Sequence, residues 1–193
     1  REQTKGDWAM RYGEIASIKD TTESVNLNGH LERTFYYFFS GDGSGTFDRM
    51  NATNWNGVAD TMMPVGKMLV QQRLSRQDYN AWATLLVDGD STSNWVIRRT
   101  ATTGTNKLFA VWRGTQTNST ASQVVNLGTG AATATLKTMN YGTTLTTNTP
   151  LVITSNTVTI SASETPQYIE VTYSANTRNY FRGSLRRNKF RNQ

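Results

Sequence analysis

Hydrophobic and polar positions change their spacing near residue 80 of this chain. Before that point apolar residues recur at intervals of three and four, and after it they alternate with Thr, Ser and Asn in short runs. The first pattern is typical of amphipathic helices and the second of half-buried strands. The pattern therefore predicts a helical first part and a β-rich second part.

Two helices are predicted in the first part. Residues 7–26 form the first, because apolar side chains fall at helical spacing at Trp8, Tyr12, Ile15 and Ile18. Asn28 and Gly29 supply a suitable C-terminal cap for it. The second helix is predicted over residues 58–73 from a second apolar face. Pro64 lies inside that window, so an alternative start at Met63 would place the proline in the first turn.

A run of β-branched and aromatic residues, Thr34–Phe39, lies between the two helices within the stretch LERTFYYFFSGDGSG. The run has no polar alternation, which predicts a strand buried on both faces, as in parallel sheets covered by helices. A loop rich in Gly, Asp and Asn follows over residues 40–57. Because one such strand needs neighbours on both sides, we interpret residues 1–78 as the end of a larger α/β domain or a piece reused in another assembly.

The second part predicts eight short strands separated by turn residues. Their ranges are Ala81–Asp88, Trp95–Thr100, Lys107–Gly114, Ser122–Leu127, Ala132–Met139, Leu151–Ile153, Val158–Ser161 and Gln167–Tyr173. Regular strands with turn signals between them are typical of an antiparallel sandwich. The predicted fold class is therefore mainly β, with an Ig-like antiparallel β-sandwich over residues 79–175 preceded by a helix–strand–helix piece.

Charge is unevenly distributed, and it separates a third region, residues 176–193. Six basic residues and no acidic ones follow position 177: Arg178, Arg182, Arg186, Arg187, Lys189 and Arg191. The other 14 basic residues balance the 14 acidic ones, so the net charge of +6 belongs to this tail. The tail is expected either to contact a polyanion, such as nucleic acid or an acidic polysaccharide, or a neighbouring subunit, or to be a solvated end.

Composition limits the chemistry. The 193 residues include no Cys, which excludes disulfides, thiolate metal sites and Cys nucleophiles. A single His, His30, cannot build a zinc site or a catalytic triad within the chain. The loop Asp42–Asp48 alternates oxygen-bearing side chains but lacks a full calcium-ligand series. We therefore expect no metal and no cofactor.

Four segments together resemble the C-terminal end of retaining glycoside hydrolases built on a (β/α)8 barrel, of the β-xylosidase and α-iduronidase kind. Residues 30–43, HLERTFYYFFSGDG, resemble the eighth barrel strand of that family, and residues 63–69, MPVGKML, the start of its eighth helix. Residues 108–112, LFAVW, and residues 158–170, VTISASETPQYIE, resemble strands of the sandwich that follows. The resemblance implies that residues 1–78 are the last elements of a barrel.

The same resemblance implies that the catalytic residues are absent. In that family both carboxylates precede the segment corresponding to Arg1, and retaining hydrolysis requires such a pair. An alternative interpretation takes residues 8–13 as the seventh strand, with Arg11 at the nucleophile position of an inactive enzyme. The helix is preferred there, and no catalytic residue is assigned.

Aromatic residues are the candidate sugar contacts. The resemblance places Tyr37, Phe39 and Asp42 at the rim where barrel enzymes bind sugar. The competing interpretation is that these aromatics pack between the strand and the helices. Trp82 and Trp95 are further possible platforms, whereas Trp112 is expected in the core.

Two functions are expected from these observations, and a plain carbohydrate-binding module that uses the tryptophans as platforms is a third hypothesis. The first is the C-terminal accessory portion of a secreted glycoside-hydrolase-like protein, not catalytic alone, whose partner is a polysaccharide or the missing barrel. The alternative is a structural subunit of an extracellular filament, sheath or capsid, a homo-oligomer in which the basic tail makes inter-subunit or polyanion contacts. The chain begins at Arg1, so we expect a processed protein or a fragment. No apolar run approaches the ~20 residues of a membrane helix.

Overall fold

The computed structural model describes residues 2–18, 64–89, 93–115 and 119–174, with side chains described from residue 6 in the first range and residue 66 in the second. The helices are α1 (Glu2–Ile15) and α2 (Pro64–Arg76). The strands are β1 (Thr84–Val87), β2 (Asn94–Thr100), β3 (Lys107–Arg113), β4 (Ala121–Asn126), β5 (Ala131–Thr138), β6 (Thr147–Leu151), β7 (Thr157–Ala162) and β8 (Gln167–Tyr173). The predicted mainly-β fold is confirmed.

The strands form two antiparallel sheets of unequal size. The larger has the order β1-β2-β3-β8-β5-β6, and the smaller pairs β4 with β7. Seven of the eight predicted strands lie within a few residues of the observed ones, while β6 begins at Thr147 rather than at Leu151. Pro150 lies in β6 at the edge of the large sheet, where a missing backbone donor is tolerated.

The large sheet is covered on both faces, which explains why its central strands are so apolar. Phe109 and Val111 of β3 face the small sheet, in a core shared with Val125 and Val158. The next residues along β3, Leu108, Ala110 and Trp112, face the helices in a second core that includes Met10 and Met68. The described residues therefore stack in three layers: helices, large sheet, small sheet.

Glycine allows the two helices to approach closely. A Cβ atom at Gly6 of α1 would clash with Sδ of Met68 on α2. Met68 is buried in the core beneath the helices, together with Met10. Because Gly6 has no side chain, there is room for Met68, which packs between both helices and the sheet.

The helix boundaries correct the prediction. Helix α1 begins at Glu2 and ends at Ile15, where 7–26 was predicted, and Ile18 already forms a parallel bridge with Ala83. Because residues 8–13 are helical, the alternative of a seventh barrel strand is wrong. Helix α2 begins at Pro64, and its fixed φ suits that first position.

A buried valine should matter far more than an exposed one. Val171 of β8 is 0% exposed and Val124 of β4 is 57% exposed. We expect Val171→Ala to lower the free energy of unfolding by about 2 kcal/mol, through lost burial and a residual cavity. Val124→Ala should change it by less than about 0.5 kcal/mol. Urea unfolding midpoints at unchanged slope measure both, and equal losses would contradict the layered core.

Candidate functional site

A cluster of polar side chains lies between α1, α2 and the large sheet, where an apolar contact would be expected. Glu14, near the end of α1, is 0% exposed. Its Oε1 atom accepts hydrogen bonds from the Tyr168 hydroxyl of β8 at 2.5 Å and from Nε2 of Gln72 on α2 at 2.9 Å. One carboxylate therefore connects α1, α2 and β8 at this interface.

Arginines compensate the charge of Glu14. Arg99 of β2 is almost fully buried and pairs through Nη1 with Oε2 of Glu14, while its Nη2 donates to the Ser17 hydroxyl. Arg76 of α2 reaches Oε1 at 3.3 Å from the solvent side. A carboxylate at the C-terminal end of a helix opposes the helix dipole. The two guanidinium groups offset that cost as well as the cost of burial.

The electrostatics of the cluster favour an ionised carboxylate. Burial opposes ionisation of Glu14, but Arg99, then Arg76, and the hydrogen bonds from Tyr168 and Gln72 outweigh it and hold its pKa below the ordinary 4.5. Burial and the neighbouring Glu14 raise the pKa of Tyr168 well above its ordinary value. Tyr168 therefore stays protonated and keeps donating to Glu14.

A second polar cluster joins the middle of α1 to the turn before β8. Arg11 donates from Nε to the backbone carbonyl of Glu164 at 2.7 Å and from Nη1 to that of Thr115 at 3.3 Å. Its Nη2 lies 3.7 Å from Oε2 of Glu164. Asp7 accepts a hydrogen bond from the Thr165 hydroxyl at 2.6 Å. Burial raises the pKa of Asp7, assisted by Glu164 and opposed by Thr165 and Arg11.

Glu170 of β8 forms a third, more open group. It accepts from the Tyr79 hydroxyl at 2.9 Å and pairs with Nζ of Lys137 on β5 at 2.9 Å. Burial opposes ionisation, but these two partners outweigh it and lower the pKa of Glu170. Glu170 therefore holds the segment after α2 against the sheet.

The buried carboxylates of these clusters have the contacts of structural groups. Retaining hydrolysis needs a protonated acid and a free nucleophile on opposite sides of a bond that substrate can reach. Asp7, Glu14 and Glu164 are each less than 9% exposed and contact Arg, Tyr, Gln or Thr side chains of their own fold. Among the described residues, no group of three or more His, Cys, Asp or Glu side chains is placed to hold a metal ion.

The tryptophans expected as sugar platforms differ in exposure. Trp112 is 1% exposed, so its placement in the core is confirmed. Trp95 lies parallel to it at 5.6 Å between ring centroids, and Gly89 packs so closely on Trp95 that a Cβ there would clash. Trp82 is half-buried. Trp95 therefore belongs to the packing around Trp112.

The outer face of α1 is apolar, the reverse of an ordinary surface helix. Trp8, Tyr12 and Ile15 carried the prediction of this helix, yet they are 53%, 55% and 43% exposed. The buried face instead carries Asp7, Met10, Arg11 and Glu14, and Ser17 is buried in the turn that follows. Sequence analysis missed this polar face, although its spacing of three and four residues is the signal that could have revealed it.

The residues predicted to contact ligands lie outside the described ranges. They are Tyr37, Phe39 and Asp42, and in the tail Arg178, Arg182, Arg186, Arg187, Lys189 and Arg191. Their roles stay predictions. Neither helix in the described ranges has the length and apolar character needed to cross a membrane.

Comparison with solved structures gives partial likenesses of fold. No protein-family model and no curated protein matches the sequence. A family 39 glycoside hydrolase from the gut symbiont Bacteroides cellulosilyticus WH2 superposes with a TM-score of 0.47 at 18% identity, over 69% of this chain and 25% of that one. An Anoxybacillus alpha-amylase superposes with a TM-score of 0.42 at 11% identity, over 66% of this chain and 26% of that one. The chain thus spans about a quarter of each.

Removing one partner of the buried ion pair should be strongly destabilising. We expect Arg99→Met to lower the free energy of unfolding by roughly 3–5 kcal/mol, because Glu14 keeps a buried charge without its main partner. The double variant Glu14→Leu with Arg99→Met should lose less than the single variant. Lys137→Met, which breaks the more open pair with Glu170, should cost at most about 1 kcal/mol. A double variant less stable than Arg99→Met would contradict this account.

Two carboxylates of α1 should respond to pH in opposite directions. The lowered pKa of Glu14 contributes stability above pH 4.5 that is lost as the pH falls through its folded pKa, so Glu14→Gln should flatten the acid side of the stability profile. The raised pKa of Asp7 means that its ionised form disfavours folding. Asp7→Asn should therefore stabilise the protein at neutral pH, with a gain that is lost as the pH falls through the raised folded pKa and is gone below 3.8. Urea unfolding across that range measures both profiles, and parallel profiles would contradict the assignment.

Proposed function

We propose that this chain is the non-catalytic, C-terminal accessory portion of a secreted glycoside-hydrolase-like protein. The motif resemblance supports this role, since two of its segments occupy the places that it implies. Residues 108–112 form the centre of β3, and residues 158–170 include most of β7 and the first part of β8. Both segments supply strands of the sandwich, as the resemblance requires.

One observation carries the non-catalytic part of the proposal. In the described part of the helix–sheet interface, the carboxylates of Asp7, Glu14 and Glu164 are held by basic or hydroxyl groups of the same interface, and Glu14 is fully buried. A nucleophile must be free to attack, and a general acid must reach the leaving oxygen. The described part of the chain therefore serves as a scaffold in this proposal.

The remaining partners follow from residues outside the described ranges. Tyr37, Phe39 and Asp42 are the proposed sugar contacts, and the partner is a polysaccharide or the barrel that the resemblance implies. The six basic residues after position 177 are the proposed contact for a polyanion. Extracellular location is proposed from the composition, which is low in charge and rich in Thr, Asn and Ser.

A second candidate function is a subunit of an extracellular assembly. The outward-facing Trp8, Tyr12 and Ile15 of α1 favour it, because exposed apolar clusters often mark protein contacts. Size-exclusion chromatography separates the two candidates. Particles far larger than the 21.5 kDa chain would favour the assembly, and a monomer would favour the accessory module.

Hydrolysis assays test the catalytic side of the proposal. We expect the purified chain to release no aryl group from a panel of aryl glycosides above the rate without protein, while an intact glycoside hydrolase serves as the positive control. Turnover that disappears in Asp7→Asn or in Glu164→Gln would contradict the proposal, because it would show that these buried carboxylates act on substrate.

A further inference from the structure

Two basic side chains, Arg98 of β2 and Lys107 of β3, lie next to each other on the face of the large sheet that the small sheet covers. Val96 and Phe109 face the small sheet in the shared core. Alternate residues of a strand share a face, so Arg98 and Lys107 lie on that face as well. The register pairs Arg98 with Phe109, which places Lys107 at the diagonal position, roughly 7–8 Å away. Strand pairing therefore holds two positive charges close together.

Neither cation has an acidic partner among the described residues. The ion pairs in that part of the chain are made by other cations: Arg11, Arg76, Arg99 and Lys137. Nε of Arg98 is buried and has no hydrogen-bond partner in the described structure. Burial, and then the neighbouring Arg98, lower the pKa of Lys107. An anion placed between the two side chains would satisfy the buried donor and offset the repulsion between like charges.

The ammonium group of Lys107 is held in place by its surroundings. Its Nζ lies 4.3 Å from the centroid of the Tyr173 ring, and the Tyr173 hydroxyl donates to the Leu127 carbonyl. A Cβ at Gly128, in the turn after β4, would lie 3.6 Å from Nζ. Gly128 has a φ of +83°, a conformation that would strain other residues. Because Lys107 is already positioned, it loses less side-chain freedom when it binds a ligand.

We propose that Arg98 and Lys107 form an oxyanion-binding site, and that its ligand is the carboxylate group of an acidic polysaccharide. Arginine and lysine bind carboxylates through charge-assisted hydrogen bonds, and the planar guanidinium matches the two carboxylate oxygens. The hydroxyl of Thr84 is a further donor on the same face, since Thr84 pairs with Arg98 and is exposed. Both cations are partly exposed, so a ligand reaches them from solvent.

The choice of a polysaccharide rests on the proposed function of the chain as part of a glycoside-hydrolase-like protein, whereas the oxyanion site rests on the geometry alone. Nucleic acid is bound mainly through many phosphate contacts along its backbone. Two adjacent cations suit instead the isolated carboxylate of an acidic sugar. If the chain proved not to be an accessory module, the oxyanion site would remain. If no oxyanion bound, the accessory role would remain, because it is supported by other residues.

Nuclear magnetic resonance of the full chain tests the site directly. We expect sodium glucuronate to shift the signals of the Arg98 Nε–H and the Gly128 amide in a saturable manner. Glucose and sodium chloride at equal concentration should leave both signals in place. The Arg11 Nε–H, which already donates to the Glu164 carbonyl, should not move in any titration. No saturable shift with glucuronate would overturn the proposal, and shifts with sodium phosphate alone would assign the site to phosphate groups and overturn it as well.

Variants that remove charge test whether this pair carries affinity for the polysaccharide. Arg98→Met with Lys107→Met should weaken binding to polygalacturonate, measured by titration calorimetry, roughly fivefold or more, because two charge-assisted contacts are lost. The control, Lys67→Gln with Arg73→Gln, removes the same charge from α2, on the opposite face of the large sheet, and should weaken it less than about twofold. The basic tail is present in both variants, so its contribution cancels. Equal losses in two variants that circular dichroism shows to be folded would overturn the proposal.

Discussion

The arrangement of the described layers depends on the buried ion pair between Glu14 of α1 and Arg99 of β2. Both side chains are fully buried, and each also contacts a further group: Tyr168 for Glu14, and Ser17 for Arg99. Buried ion pairs are often no more stable than an apolar replacement, but they tolerate no misplacement. Because this pair must be placed accurately, it fixes the position of the helices on the sheet. A hydrogen bond from the Ala83 N–H to the Ser17 carbonyl, at 2.8 Å, adds to this attachment.

Polar contacts of this kind extend along the whole interface. Gln71 of α2 is buried and donates from Nε2 to the carbonyls of Asn140 and Thr143, while its Oε1 accepts from the Asn140 N–H at 2.8 Å. Arg11 makes similar backbone contacts before β8. The helices thus supply hydrogen-bond partners to backbone groups of the neighbouring loops. Three large apolar side chains of α1, Trp8, Tyr12 and Ile15, lie on its outer surface instead.

The sandwich was easier to predict than the helix layer, and the reason is physical. The central residues of strand β3 are all apolar because both faces of its sheet are covered. Turn residues also mark most strand ends in the sequence. Helix α1 was found through Trp8, Tyr12 and Ile15, but its buried face could not be chosen from hydrophobicity. That face is polar, and the partners that make its burial favourable, Arg99 and Tyr168, lie far away in the sequence. Spacing predicts that a helix forms, while its contacts decide which side is buried.

The central claim is that the helix pair and the sandwich form one cooperative unit held by the polar interface. Native-state hydrogen exchange at increasing denaturant tests it most directly, because it gives the opening free energy of each amide. Amides in the middle of α1 and α2 should open with the same free energy and denaturant dependence as those of β3 and β8. Helix amides that exchange through a separate, lower-energy opening while the sheet stays protected would contradict it.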